Sequence, residues 1–182
     1  MVTPLTEGCA ARIDGVDITR PVDEPVWADI RAALDEHSVL VFPGQSLDDN
    51  AQIAFSRRFG PLEAILPLLY RARVGALSLE LANPRHQHEY KVIRRHPLPD
   101  SMLFLPGVID STTNFVEHPE VVADRICQAA DAVGDPSRVI ASVDCGFWTF
   151  AGSELVAESV VWAKLRALKE GAAIASARLW GP

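Results

Sequence analysis

The chain has 182 residues, 48% hydrophobic and 23% charged, which suits one ordinary domain or two small ones and excludes wholesale disorder. A formal net charge of −7 argues against a nucleic-acid footprint, and the apolar runs are too short and too broken by Pro, Gly and charge to span a bilayer. Three cysteines at irregular spacing (Cys9, Cys127, Cys145) and the lack of a basic-then-apolar leader in MVTPLTEGCAARIDG predict free thiols in a reducing cytoplasm.

In chain order, ARIDGVDI alternates polar and apolar residues, which predicts a short strand pair bending at Gly15. Residues 25–37 place Val26, Ile30, Ala33 and Leu34 on one helical face, with Pro25 in the first turn. SVLVF (38–42), stopped by Pro43-Gly44, reads as a buried strand. Ser46 with Asp49 three residues on predicts a cap for a second helix reaching about Phe59. From residue 63 the rhythm becomes regular βα. The pattern predicts helices over 63–73, 86–95, 118–132 and 154–177, and strands over 76–81, 102–110 and 138–145. Trp162, Leu165 and Leu168 are assigned to the buried side of the last helix. Strands alternating with helices imply a parallel sheet with right-handed crossovers. The basic pairs Arg57-Arg58 and Arg94-Arg95 read as solvated helix edges.

In parallel βα architectures, functional groups gather at the C-terminal ends of strands. Glu80 lies at the end of ALSLEL, Asp110 at the end of MLFLPGVID and Cys145 at the end of RVIASVDC, so three successive strands are expected to bring a carboxylate, a carboxylate and a thiol to one rim. Glu and Cys both ligate zinc. From pattern alone the alternative stays open with equal weight: an inert core thiol and two acids that form turns. His86 and His88, two apart on the predicted helix, point to different faces. His96 and His118 read as surface or capping residues.

The stretches ALSLELANPRHQHEY, LPGVIDSTTNFVEHPEVVADRI, VDCGF and VWAKLRALKEGAAIASARLWG resemble the end of the short, stand-alone branch of the cobalamin-independent methionine synthase family, over about 63–182. The resemblance implies a partial (βα)8 (TIM-type) barrel made of the last three βα units. It also implies zinc held by Glu80 and by Cys145 of Asp144-Cys145-Gly146, with Asp110 as an acid beside the substrate. The implied chemistry is methyl transfer from a small-molecule donor to a homocysteine-type thiol. The family's His-x-Cys ligand pair has no counterpart before residue 63, so the zinc site is expected to be incomplete and the chain inactive alone. Trp148 stands where that family carries a small residue, and its indole would crowd the rim.

RIDGVDITRPVDEPVWADIRAALDEHSVLVFPGQSLDDNAQIAFSRRFGPLE resembles the opening of the taurine dioxygenase family, which uses Fe(II) and 2-oxoglutarate on a double-stranded β-helix. No His-x-Asp pair occurs in the chain, so Fe(II) and 2-oxoglutarate are not expected to take part. The expected organisation is a small α+β dioxygenase-like fragment over 1–62 and a barrel fragment over 63–182, meeting at Pro61-Leu62-Glu63. Three readings follow: a zinc methyltransferase-like protein, a dioxygenase-like protein, and a non-catalytic fusion remnant. No nucleic-acid or membrane partner is expected, and open barrel edges predict self-association.

Overall fold

The computed structural model describes residues 1–6, 9–147 and 155–181. Contacts cluster into two units, Met1–Ala72 and Arg73–Pro182, a division ten residues beyond the sequence-based boundary at 62/63.

The first unit contains β1 (Val2–Thr6), β2 (Ala10–Ile13), α1 (Glu24–His37), β3 (Val39–Val41), α2 (Asp49–Arg57) and α3 (Leu62–Leu69). Its sheet has the order β1-β2-β3, with β1 antiparallel and β3 parallel to β2. The strand pair expected around Gly15 is therefore corrected. The antiparallel partner of β2 lies upstream, at Val2↔Ile13, and Gly15 uses its positive φ of 79° in a bend. The buried strand expected at 38–42 is also corrected. As an edge strand β3 is covered on one side only, and Val39 and Val41 are exposed.

Helix α1 buries Trp27, Ile30, Ala33 and His37, whereas Val26 faces outward. The stripe is rotated from the expected one because Trp27 offers the larger apolar surface. Its ring meets Phe55 and Phe59 edge-on at centroid distances of 5.6 and 4.8 Å, and Arg58 lies over it at 4.7 Å. Helix α2 is capped by Asp48, not Ser46: the Asp48 carboxylate accepts the Ala51 N–H at 2.7 Å. Gln45, following Pro43-Gly44, accepts the Ile18 N–H at 3.0 Å and donates to the Val16 carbonyl at 2.9 Å.

The second unit contains β4 (Ala76–Glu80), α4 (Tyr90–Arg95), β5 (Leu103–Ile109), α5 (Pro119–Val133), β6 (Ser142–Val143) and α6 (Glu158–Trp180). It is a mixed α/β arrangement around a parallel sheet of order β4-β5-β6. β5 is central because it supplies the apolar run: Phe104, Val108 and Ile109 are fully buried. The strand expected over 138–145 shrinks to two residues. Pro136–Arg138 forms a 3-10 turn instead, leaving one isolated bridge, Phe104↔Val139. The helix expected from residue 86 begins at Tyr90. His86 and His88 lie in the preceding turns, with His86 Nδ1 3.2 Å from Glu89. His118 caps α5, its Nδ1 accepting the Glu120 N–H at 3.2 Å.

Helix α6 packs through Lys164, Ala167, Gly171 and Ala175. Trp162, expected inside, is 61% exposed, and Leu165 and Leu168 are half-buried. Small residues face α5 because the two helices approach closely. A Cβ on Gly171 would lie 2.5 Å from the Val122 Cβ and 2.9 Å from the Pro119 carbonyl oxygen. Val108, Ile109, Val122, Ala123, Ile126 and Ala175 form the shared core. Among the described residues no helix is long and apolar enough to cross a membrane.

Candidate functional site

The C-terminal rim of the β4-β5-β6 sheet carries the residues that the sequence singles out. Glu80 is the last residue of β4 and is exposed. Asp110 follows β5 and turns its carboxylate into its own loop. One oxygen accepts both the N–H and the hydroxyl of Thr112 at 2.7 Å, while the Asp110 N–H donates to Glu117 at 2.8 Å. Cys145 follows β6 and is half-buried, with its Sγ 2.8 Å from the Oγ of the buried Ser111. Trp148 lies outside the described residues.

Asp144, singled out in the sequence only as part of the Asp-Cys-Gly motif, is the rim carboxylate with three backbone N–H donors. Its Oδ1 accepts the N–H groups of Leu81 and Ala82 at 3.0 and 2.9 Å, and its Oδ2 accepts that of Asn83 at 2.8 Å. Only 9% of the residue is exposed. Burial pushes its carboxyl above the usual carboxylate range, and the negative charge of Glu80 adds to this, against the three N–H groups that favour the ion. The Glu80 carboxylate thus acts electrostatically on the residue beside Cys145.

Beneath the rim lies a charged network with no place in the sequence reading. Lys164, fully buried, donates to Glu117 at 2.9 Å and to the Phe115 carbonyl. Arg125 stands 3.9 Å from Glu117 and donates to the Val108 carbonyl at 2.8 Å. The signal was a lysine inside VVWAKLRAL, at the helical spacing of the small buried residues. Gly107, a glycine inside an apolar strand, was the other readable sign, since such glycines mark close backbone approach.

A zinc site takes three or four protein ligands. Among the described residues no group of three or more His, Cys, Asp or Glu side chains could hold a metal ion. Glu80 and Cys145 therefore gain no third donor within this set. Among the described residues, Glu80 and Cys145 by themselves fall short of the three ligands that a zinc site or a three-residue iron site takes.

Residues 1–93, just over half of the chain, match the sequence model of the family described as "Taurine catabolism dioxygenase TauD, TfdA family". The chain belongs to this family. The match runs past the Pro61-Leu62-Glu63 stretch and ends within α4.

Curated relatives include the (S)-phenoxypropionate/alpha-ketoglutarate-dioxygenase of Sphingobium herbicidovorans, 40% identical over 83 residues (45% of this chain, 29% of that protein). Another is the alpha-ketoglutarate-dependent 2,4-dichlorophenoxyacetate dioxygenase of Cupriavidus pinatubonensis, 41% identical over 63 residues (35% of this chain, 22% of that protein). A third is the 2-hydroxypropyl-CoM lyase of Xanthobacter autotrophicus, 34% identical over 118 residues (64% of this chain, 30% of that protein). The chain thus spans under a third of the length of each of these relatives. Among solved structures, a B12-independent methionine synthase from Shewanella sp. W3-18-1 in complex with selenomethionine matches with a TM-score of 0.55 at 23% identity. It covers 83% of this chain and 44% of that one. This likeness shows the fold alone. Both resemblances read from the sequence, to the taurine dioxygenase family at the N-terminus and to a cobalamin-independent methionine synthase, are thus met in these comparisons.

Proposed function

We propose that this chain joins the opening of a TauD/TfdA dioxygenase to a methionine-synthase-like section, the last three βα units of a (βα)8 barrel, and that it does not transfer methyl groups on its own. The observation that carries the reading is the donor set. Among the described residues, the synthase-like rim offers Glu80 and Cys145 as zinc donors, while Asp110 and Asp144 spend their carboxylates on backbone N–H groups and Thr112. Two donors hold zinc too weakly to ionise a homocysteine-type thiol and present it to a methyl donor. Support for the synthase-like half comes from the parallel sheet and the Shewanella fold match. In this reading the two parental sequences meet within Pro61-Leu62-Glu63, and open sheet edges favour self-association.

Metal analysis of the purified full chain tests the proposal. The expected result is well under one zinc per chain, unchanged by Cys145→Ser, and no methionine formed from homocysteine and a methylated folate. One tightly held zinc per chain, lost in Cys145→Ser and accompanied by methyl transfer, would falsify it.

A second reading rests on the family match over residues 1–93 and on the relatives named as alpha-ketoglutarate dioxygenases. These findings weigh against the expectation that Fe(II) and 2-oxoglutarate play no part. Succinate formation from 2-oxoglutarate with added Fe(II) decides it: turnover above the metal-only blank establishes the dioxygenase reading, and a flat trace removes it.

A further inference from the structure

We propose that Asp144 is a positioning residue that sets where the tips of β4 and β6 stand relative to each other. The inference rests on the reading above only in taking Glu80 and Cys145 as the residues that matter at this rim.

Three observations converge on it. Gly107 of the central strand is in register with Glu80 on one side and Ser142 on the other, so it marks where a group from β6 must cross β5 to reach β4. A Cβ at Gly107 would lie 2.3 Å from the Asp144 Oδ1 and 2.6 Å from its Cα, so the missing side chain is the clearance through which Asp144 passes. On the far side the carboxylate takes three successive N–H groups, those of Leu81, Ala82 and Asn83, directly after Glu80.

The anchor end is equally defined. The Asp144 N–H donates to the Ile109 carbonyl at 2.9 Å, and the Leu81 N–H also reaches the Gly107 carbonyl at 3.1 Å. One buried side chain therefore links the residue after Glu80 to the residue before Cys145, through a notch in the strand between them. Hydrogen bonds to a charged acceptor are shorter and stronger than neutral ones, and three donors on one carboxylate restrict its rotation. The ladder hydrogen bonds of β5 offer the β6 tip little purchase of their own, since β6 contributes two residues to that ladder. A carboxylate that merely closed its own turn would act within its own loop, as Asp110 does with Thr112.

The test uses the full chain with its three cysteines replaced by serine and spin labels attached through Pro84→Cys and Gly146→Cys, both exposed positions flanking the link. With Asp144 intact, the inter-label distance distribution is expected to be single and narrow, and the amides of Leu81, Ala82 and Asn83 to be protected from exchange. Asp144→Ala should at least double the width of the distribution and speed exchange of those three amides at least tenfold, while the far-UV circular dichroism is retained. Asp144→Asn keeps one acceptor oxygen and should fall between, which keeps the proposal testable where the alanine variant does not fold. An unchanged distance distribution in Asp144→Asn, or amides at 81–83 that exchange as in the parent, overturns the proposal. Neither readout involves metal or turnover, so failure here is separable from failure of the functional reading.

Discussion

Replacing the buried lysine of α6 probes the second unit most directly. In Lys164→Met the aliphatic length is kept and the charge removed. Glu117 is then left, with its side chain only 10% exposed, facing the Asp110 N–H at 2.8 Å and the Arg125 guanidinium at 3.9 Å. The Phe115 carbonyl also loses its donor. Removing one partner of a buried ion pair costs about 3–5 kcal/mol, a large fraction of a stability on the order of 5–15 kcal/mol. In the double variant Lys164→Met/Glu117→Gln both members of the lysine–carboxylate pair are neutral, Arg125 gives up its carboxylate neighbour but keeps the Val108 carbonyl, and the glutamine oxygen still accepts the Asp110 N–H. Its loss should be smaller than the sum of the two single losses by roughly 2 kcal/mol. Urea unfolding followed by the fluorescence of Trp162 and Trp180 gives these differences. A Lys164→Met loss within about 1 kcal/mol of zero, or additive single losses, would refute the claim that the pair is coupled and desolvated.

Gly171→Ala should destabilise the second unit by about 1–3 kcal/mol through overpacking against Val122, although alanine is the better helix former by about 1 kcal/mol. A gain in thermal stability would show that α5 and α6 can separate without cost. In the first unit, Trp27→Ala should lose about 3–5 kcal/mol by emptying the space among Phe55 and Phe59, measured as earlier loss of amide protection in α1. The raised carboxyl of Asp144 has a definite sign. Its proton is held more tightly in the folded chain than in the unfolded one, whose ordinary value is 3.8. From that pH upward to the folded value, the folded state binds more protons, so rising pH removes stability, and below it both states are protonated and stability no longer changes with this group. The stability of the parent relative to Asp144→Asn should therefore decline as pH rises above about 4, and an increase would contradict the burial argument.

Much of the second unit was legible because its periodicities are clean. ALSLE and LFLPGVI are apolar runs of strand length, and PEVVADRICQAADAV has a helical stripe with Pro at its start. Elsewhere local pattern and tertiary environment diverge. VLV has the composition of a core strand but sits at an edge, and Trp162 has the hydrophobicity of a core residue on a helix whose packed face is taken by Lys164, Ala167, Gly171 and Ala175. RVIASVDC offers eight ladder positions by composition, but Arg138 ends a 3-10 turn, Val139 makes only an isolated bridge to Phe104, and the ladder proper holds Ser142 and Val143.

At the rim, residue type alone determined that Glu80, Asp110 and Cys145 could carry chemistry, since strand ends and ligand types are written in the chain. Tertiary structure decided how those groups are used. Asp110 closes a turn, Cys145 meets the Ser111 hydroxyl, and Asp144 crosses Gly107 to hold the amides beyond Glu80. The division follows from range. Helix and strand periods depend on neighbours a few residues away, whereas the partners of a buried carboxylate lie more than sixty residues distant and exist only once the sheet has brought three strands side by side.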